Sequence, residues 1–177
     1  MARPLLIAGV GNIFFGDDAF GCEVVRRLRG EVSCAAADVC LQDYGIRVRE
    51  LGYALASGAA DGSIRSAVIV DAIATGAAAG TLQLFDLSGV NDPLDGGSSH
   101  HSLDVRDALT AARALGAIPP SIYLLGCEPS SFDPCLVEQG ATVLSPIVEL
   151  TALRAVELLC RFLADPDGDL VELCCAY

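Results

Sequence analysis

Short apolar runs alternate along the chain with longer stretches in which apolar residues recur every three or four positions. The short runs predict five β-strands, because buried strands are brief and rich in aliphatic side chains: Leu5 to Gly9, Val39 to Asp43, Ser66 to Asp71, Thr81 to Leu87 and Ile122 to Gly126. The longer stretches predict four α-helices, at Asp17 to Arg29, Val48 to Ser57, Ser102 to Leu115 and Ile147 to Leu163.

This order of elements predicts a three-layer α/β/α fold of the phosphorylase or hydrolase-like kind, with a mostly parallel, twisted five-stranded sheet. The segment Thr81 to Leu87 alternates apolar and polar residues, which favours an antiparallel strand at the sheet edge. We expect a single domain over residues 1–177, with a core over 5–163 and a tail over 164–177. Within the tail, Leu170 to Tyr177 is expected to add an edge strand or to stay loose.

The composition mainly excludes classes of function. Of the 177 residues, 53% are hydrophobic and only 19% are charged, and the net charge is −12. A protein with this negative charge is repelled by the phosphate groups of nucleic acids and of anionic lipids. The charge therefore argues against binding to nucleic acids or to anionic membranes. The apolar runs are too short to span a bilayer, and the N-terminal run fits a buried strand better than a signal peptide. We therefore expect a soluble, cytoplasmic protein, and a monomer.

The chain has eight cysteines, but no two of them form a Cys-x-x-Cys pair. This spacing argues against zinc-ribbon and thioredoxin-type sites. In a reducing compartment, such cysteines are mostly small buried hydrophobic residues rather than disulfide partners.

Acidic residues follow the predicted strands at one edge of the sheet, where α/β proteins bind their ligands. Asp17 and Asp18 follow the first strand, whereas Asp43 and Asp71 end the second and third. Asp17 fits a helix cap. Asp71 ends an apolar strand, where a carboxylate requires a partner or a metal to offset the cost of its burial. These acids are therefore the first candidates for a functional site.

The two histidines, His100 and His101, precede the third predicted helix. His100 fits an exposed loop position, whereas the residue pattern leaves the role of His101 undecided. Two carboxylates and one imidazole suit a divalent transition metal such as zinc or nickel better than magnesium or calcium. The residues alone predict a hydrolase-like or a metal-recognition site and leave both roles open.

Three further residues lie where the same edge of the sheet would contact a substrate: Asn12, Arg47 and Glu128. Arg47 and Glu128 could equally form an ion pair of little energetic consequence. Glu128 also begins a loop of about eighteen residues that ends at Ser145, long enough to predict a functional role or a short helix.

Gly9-x-Gly11 resembles the start of a dinucleotide-binding fingerprint, but Phe14 stands where a third glycine is required. Asp17 and Asp18 would also repel a pyrophosphate at the start of the following helix. Nucleotide binding is therefore disfavoured. The sequence also has no Gly-x-Ser-x-Gly and no Gly-Lys-Ser/Thr, which argues against serine-hydrolase and P-loop sites.

The strand-end residues lie within a longer pattern. The stretch from Ile7 to Gly21, IAGVGNIFFGDDAFG, resembles the N-terminal signature of the nickel–iron hydrogenase maturation endopeptidases. Weaker landmarks of that family follow in order, at Val68 to Ile73, Ala79 to Leu82, His101 to Leu103, Gly126 to Pro129 and Leu144 to Val148. The resemblance runs from about residue 5 to residue 163.

The resemblance implies an endopeptidase that removes a C-terminal extension from a hydrogenase large-subunit precursor after nickel has been inserted. The family's metal-binding residues correspond here to Asp18, Asp71 and His101, with Asp43 as a further catalytic or supporting acid. The resemblance implies that these residues recognise the nickel of the precursor. It leaves open whether they also activate the attacking water. Zinc in the isolated protein is a further expectation.

The chain departs from the family pattern after the second strand. Many members carry Asp-Gly-Gly-Thr/Ser-Ala there, whereas this chain has Asp43-Tyr44-Gly45-Ile46-Arg47. The loop from Glu128 to Ser145 is also longer than usual, with Val143 where the family often has glycine. These departures predict a difference in substrate choice rather than in chemistry. The low charged fraction further predicts an apolar surface beside the site that docks a protein substrate.

Two alternatives stay open at this point. One is a nickel-dependent assembly factor that binds the precursor and cuts nothing. The other is a phosphorylase-like or peptidyl-hydrolase-like enzyme on a related sheet. A stable complex with uncleaved precursor would favour the first, and ligand binding without any precursor would favour the second.

Overall fold

The fold is built around a five-stranded sheet. The computed structural model describes residues 4–31, 39–89, 102–134, 144–164 and 170–175. The strands are β1 (Leu5–Val10), β2 (Val39–Gly45), β3 (Ser66–Ala72), β4 (Leu82–Asp86) and β5 (Ser121–Cys127), and their order in the sheet is β2-β1-β3-β5-β4. The described strands match the five predicted ones to within two residues at each end, and the predicted order of strands and helices is confirmed.

Strands β1, β2, β3 and β5 are parallel, whereas β4 pairs antiparallel with β5 at one edge of the sheet. The predicted antiparallel edge strand is therefore confirmed. In the centre, Gly9 of β1 lies opposite Asp43 of β2 and Val70 of β3. The carboxyl ends of β1, β2, β3 and β5 consequently share one edge of the sheet, here called the carboxyl edge.

Two layers of helices cover the sheet, which confirms the three-layer prediction. The helices are α1 (Phe20–Glu31), α2 (Val48–Asp61), α3 (Ser102–Ala114) and α4 (Pro146–Ala164). Helices α1 and α4 share one buried apolar cluster with one face of the sheet, and α2 and α3 share a second cluster with the other face. β1 and β3 are buried throughout except at Ser66, because helices cover both faces of these central strands.

Glycines bring the start of α1 into direct contact with the sheet. A Cβ atom on Gly21 would overlap the carbonyl oxygens of Val70 and Val10, and one on Gly9 would overlap the carbonyl oxygen of Gly21. The glycine pattern that resembles a nucleotide fingerprint therefore serves helix packing here. A short 3-10 helix (Gly16–Ala19), which the sequence pattern did not separate from α1, leads into this contact.

The C-terminal segment differs from the prediction. Leu170–Cys175 forms a short helix, α5, rather than an edge strand or a loose tail. Leu170 is buried, and Leu173 and Cys174 pack against the cluster of α1 and α4, so apolar contacts hold this segment in place. Six residues are too few for a clear helical period, which explains why the sequence pattern did not predict the helix.

Three further predictions concern membrane-spanning helices, cysteines and loops. In the described part of the chain, none of the helices has the length and apolar character needed to cross a bilayer. The cysteines described there are free thiols, and Cys22 and Cys127 are buried as predicted, whereas Cys40 is exposed. The stretch from Gly89 to Ser99, whose glycine, serine, asparagine and aspartate residues predict a loop, lies outside the described residues from position 90 onward, and so does part of the long loop after Glu128.

We expect the contact at Gly21 to be critical for stability. Gly21→Ala should lower the free energy of unfolding by about 2–4 kcal/mol, because the new methyl group overlaps two backbone oxygens that cannot move aside. Gly30→Ala is the matched control, since Gly30 lies in the same helix and nothing is within 4 Å of its added Cβ. That control should leave stability unchanged or raise it by roughly 0.5 kcal/mol. Urea unfolding measures both changes, and equal stability of the two variants would contradict this account of the contact.

Candidate functional site

Asp18 is held at the carboxyl edge by the turn that follows β1. It lies in the short 3-10 helix, and its side chain is buried. The backbone N–H of Asn12 donates a hydrogen bond of 3.0 Å to its Oδ2. Gly11 has a φ of +130°, and a Cβ there would overlap the carbonyl oxygen of Asp18. Only glycine therefore lets the turn close tightly enough to bring Asn12 to the carboxylate.

Asp71 is the second buried carboxylate. It is the last residue but one of β3, and it pairs in register with Gly126 of β5. Its Oδ1 accepts a hydrogen bond of 2.8 Å from the backbone N–H of Ala72. A buried carboxylate is costly unless hydrogen bonds or a cation compensate for its lost hydration. This position at the end of a central strand is typical of a ligand-binding residue in an α/β fold.

Asp43 lies near the end of β2, opposite Gly9 of β1, and is half-buried. Its Oδ1 accepts a hydrogen bond of 2.9 Å from the N–H of Gly45, whose φ is +54°. The guanidinium of Arg47 donates to the backbone oxygen of Asp43 at 2.7 Å and to that of Tyr44 at 3.1 Å. Arg47 therefore holds the turn after β2 in place from the outside.

The thiol of Cys22, a buried residue of α1, is near enough to the three acids to be affected by their charges. Burial raises its pKa above the usual range, and the carboxylates of Asp43, Asp71 and Asp18 raise it further. Its sulfur is 3.6 Å from the carbonyl oxygen of Gly11, to which it donates. Three strand-end acids thus act electrostatically on one atom, which supports the prediction that they gather at one place. Both effects favour the protonated thiol, which is a weaker nucleophile than the thiolate.

The sequence pattern did not single out Cys22. No spacing between cysteines pointed to it, because its neighbours come from three different segments of the chain. Only the packing of α1 on the sheet brings them together.

The predicted third metal ligand, His101, and its neighbour His100 lie outside the described residues. His101 directly precedes Ser102, the first residue of α3. Among the described residues, no group of three or more histidine, cysteine, aspartate or glutamate side chains is arranged to hold a metal ion. The assignment of Asp18, Asp71 and His101 as ligands therefore stays a prediction.

Asp17 is a structural anchor rather than a cap on its own helix. Its carboxylate accepts hydrogen bonds from the backbone of Ser130 at 2.8 Å and Ser131 at 3.1 Å. It also accepts from the N–H of Ser145 at 2.7 Å and from its hydroxyl at 2.8 Å. Because Ser145 directly precedes α4, Asp17 satisfies backbone donors at the start of that helix. The predicted local cap is replaced by a contact across 128 positions of the chain.

The suggested ion pair between Arg47 and Glu128 is wrong. Arg47 pairs with Glu50 at 3.2 Å, whereas Glu128 is buried and accepts hydrogen bonds from the N–H and hydroxyl of Thr75, both at 2.7 Å, and from the N–H of Gly76 at 3.1 Å. Burial opposes ionisation of Glu128, but these hydrogen bonds outweigh it and hold its pKa below the usual value. Glu128 therefore fixes the loop after β3, and its contact with a substrate stays a prediction.

Comparisons with known proteins point to one family. The profile of the family described as hydrogenase maturation protease matches residues 22–161. The chain is 30% identical over 156 residues to the hydrogenase 2 maturation protease of Escherichia coli K12, covering 85% of this chain and 90% of that protein.

Solved structures of the same kind are also similar. The hydrogenase maturating endopeptidase HybD from E. coli superposes with a TM-score of 0.71 and 26% identity, over 93% of this chain and 94% of that one. The NiFe hydrogenase maturation protease HycI from Thermococcus kodakarensis gives a TM-score of 0.66 at 26% identity, again over 93% and 94% of the two chains.

We expect the thiol chemistry to follow burial and charge. Iodoacetamide at pH 8 should alkylate exposed Cys40 at least about 100-fold faster than Cys22, because Cys22 is both inaccessible and protonated. Cys127 should be protected as well, since burial, Asp17 and Glu128 raise its pKa to about 12. Mass spectrometry of peptides gives the rates, and protein unfolded in guanidinium is the control in which the three cysteines react alike. Equal rates at Cys22 and Cys40 in folded protein would contradict the described environment.

Proposed function

Because this chain belongs to the hydrogenase maturation protease family and is therefore a peptidase, we propose that it removes the C-terminal extension of a NiFe hydrogenase large-subunit precursor after nickel insertion. The observation that carries the proposal is that Asp18, Asp43 and Asp71 share the carboxyl edge: Gly9 of β1 lies opposite Asp43 and opposite Val70, the residue before Asp71, and the Asp18 backbone packs against Gly11. Such a cluster of carboxylates attracts a cation, and a metal centre within the precursor is a cation brought by the substrate.

Asp18 and Asp71 are the proposed contacts to the nickel of the precursor, together with His101. Two carboxylates and one imidazole supply oxygen and nitrogen donors that suit a divalent transition metal, and the remaining coordination positions belong to the precursor's own ligands. The protease then discriminates the loaded precursor from the unloaded one by the difference in affinity. Zinc bound to the isolated protein would use the same side chains.

Asp43 is the proposed acid–base group of the hydrolysis. Cleavage of a peptide bond requires that water lose a proton and that the leaving amine gain one. Asp43 is half-buried, so its carboxylate reaches solvent more easily than those of Asp18 and Asp71. The hydrogen bond from Gly45 and the contact of Arg47 with its backbone hold it in place. A metal bound at the site would supply Lewis-acid polarisation of the scissile carbonyl or of water.

Neither alternative from the sequence is favoured by the comparisons. The matched family and relatives are named as proteases, which argues for cleavage over a non-cleaving assembly factor and over a phosphorylase-like enzyme. We keep the expectation that the protein acts as a monomer in the cytoplasm.

The processing reaction tests the site directly. With nickel-loaded precursor, Asp18→Asn, Asp71→Asn and His101→Ala should each slow trimming of the large subunit by about 100-fold or more, as measured by its mass. Asp86→Asn is the matched control. Asp86 also ends a strand, but β4 runs antiparallel to β5. Asp86 therefore pairs with Tyr123 near the start of β5, at the end of the sheet opposite to the carboxyl edge. This control should trim at the rate of the wild type.

Two results would contradict the proposal. Full trimming by Asp71→Asn would remove the site assignment, provided that thermal unfolding shows the variant to be folded. A stable complex of the wild type with precursor that is never cut would favour the assembly factor.

A further inference from the structure

We propose that Phe14, Phe15 and Ile46, here called the apolar rim, form the surface on which the precursor docks beside the scissile bond. This inference rests on the proposed function. The three side chains are 58%, 42% and 69% exposed, respectively. Single exposed apolar residues are ordinary, but two consecutive phenylalanines on a loop next to a buried acid are not explained by the fold.

The loop of Phe14 and Phe15 is hydrogen-bonded to the same residue that holds Asp18. The side-chain oxygen of Asn12 accepts from the N–H of Phe14 at 3.1 Å, and its backbone oxygen accepts from the N–H of Phe15 at 3.1 Å. The N–H of Asn12 in turn donates to Asp18. One residue therefore holds both the backbone that carries the exposed aromatic side chains and the buried carboxylate. This assigns predicted rim residue Asn12 a positioning role.

Ile46 is linked to Asp43 in the same way. It lies in the turn whose Gly45 donates to the Asp43 carboxylate at 2.9 Å, and the guanidinium of Arg47 holds the Asp43 end of that turn. The two loops are joined to each other, because the N–H of Gly11 donates to the carbonyl oxygen of Gly45 at 3.2 Å. Apolar side chains thus project from both hydrogen-bonded turns that carry the site acids.

An open groove adjoins the apolar rim at Ile46. Ile46 and Tyr53, which is 60% exposed, both line this groove of about 680 Å³ between the start of α2 and the side of α3. Asp107, Thr110, Ala111 and Ala114 form the α3 side of this groove, and the charged side chains of Arg47, Arg49 and Glu50 line its α2 side. An extended or helical segment of a protein fits such a groove better than a small polar ligand does.

The net charge favours the precursor over a second copy of this chain. Each copy carries a net charge of −12, so two copies repel each other as they approach. The reaction of this family is carried out on a protein, and the apolar rim lies on the loops that hold the site acids. Apolar contacts bind a substrate there without placing a further charge beside these acids.

The experiment measures trimming of nickel-loaded precursor at several precursor concentrations. Phe14→Ser/Phe15→Ser and Ile46→Ser should each raise KM by about tenfold or more, because each removes apolar area that is buried on docking, and should change kcat by less than about threefold. The matched control is Leu150→Ser/Leu153→Ser, which removes two leucines of α4 with exposures of 54% and 53%. It should keep the wild-type KM. Thermal unfolding should show that the variants are as stable as the wild type.

A second measurement separates this inference from the proposed function. Binding of precursor to the Asp43→Asn protein, with and without the apolar-rim substitutions, does not require cleavage and leaves the proposed nickel contacts in place. If the wild type binds precursor but never cuts it, the proposed function fails, and weaker binding by the apolar-rim variants still supports the docking surface. Unchanged KM and unchanged binding in these variants would overturn the inference. A wild-type dimer that the same substitutions dissociate would overturn it as well, in favour of a second copy.

Discussion

The close contact between the start of α1 and the two central strands is the constraint on which the site depends. Gly21 lies against the carbonyl oxygens of β1 and β3, and Gly9 leaves room for the helix from the other side. Because no side chain separates these backbones, the start of α1 packs directly on the sheet, and the turn before it lies at the carboxyl edge. Asp18 is carried with it, so that it acts on the Cys22 thiol together with Asp43 and Asp71. A larger residue at Gly21 would move α1 and Asp18 together.

The acids around this contact have two different tasks. The carboxylates of Asp17 and Glu128 accept hydrogen bonds mainly from backbone N–H groups. Each of them thereby holds a loop from elsewhere in the chain against the site. Asp18 and Asp71 are equally buried, but they lie where the parallel strands end, and there a ligand can approach. Neighbouring residues in the sequence, Asp17 and Asp18, therefore differ in role because their side chains meet different parts of the fold.

Much of the fold could be predicted because it depends on local patterns. Apolar runs gave the strands, and the alternation in Thr81 to Leu87 gave the antiparallel edge. The site acids could be predicted from their positions after strands, since all parallel strands end at one edge. Long-range contacts could not be predicted. The bond between Asp17 and Ser145 spans 128 positions. The carboxylate of Glu128 accepts from the backbone of Thr75 and Gly76 rather than pairing with Arg47. No spacing in the sequence predicts these partners.

The proposed contact of Asp18 and Asp71 with the nickel of the precursor is tested by locating that nickel in a complex. Anomalous diffraction at the nickel edge, from crystals of Asp43→Asn protein bound to nickel-loaded precursor, locates the ion without requiring turnover. We expect one nickel peak that lies within coordination distance of a carboxylate oxygen of Asp18 and of a carboxylate oxygen of Asp71. A nickel peak that contacts neither carboxylate, in a complex with the precursor's C-terminal region seated on the carboxyl edge, would contradict it.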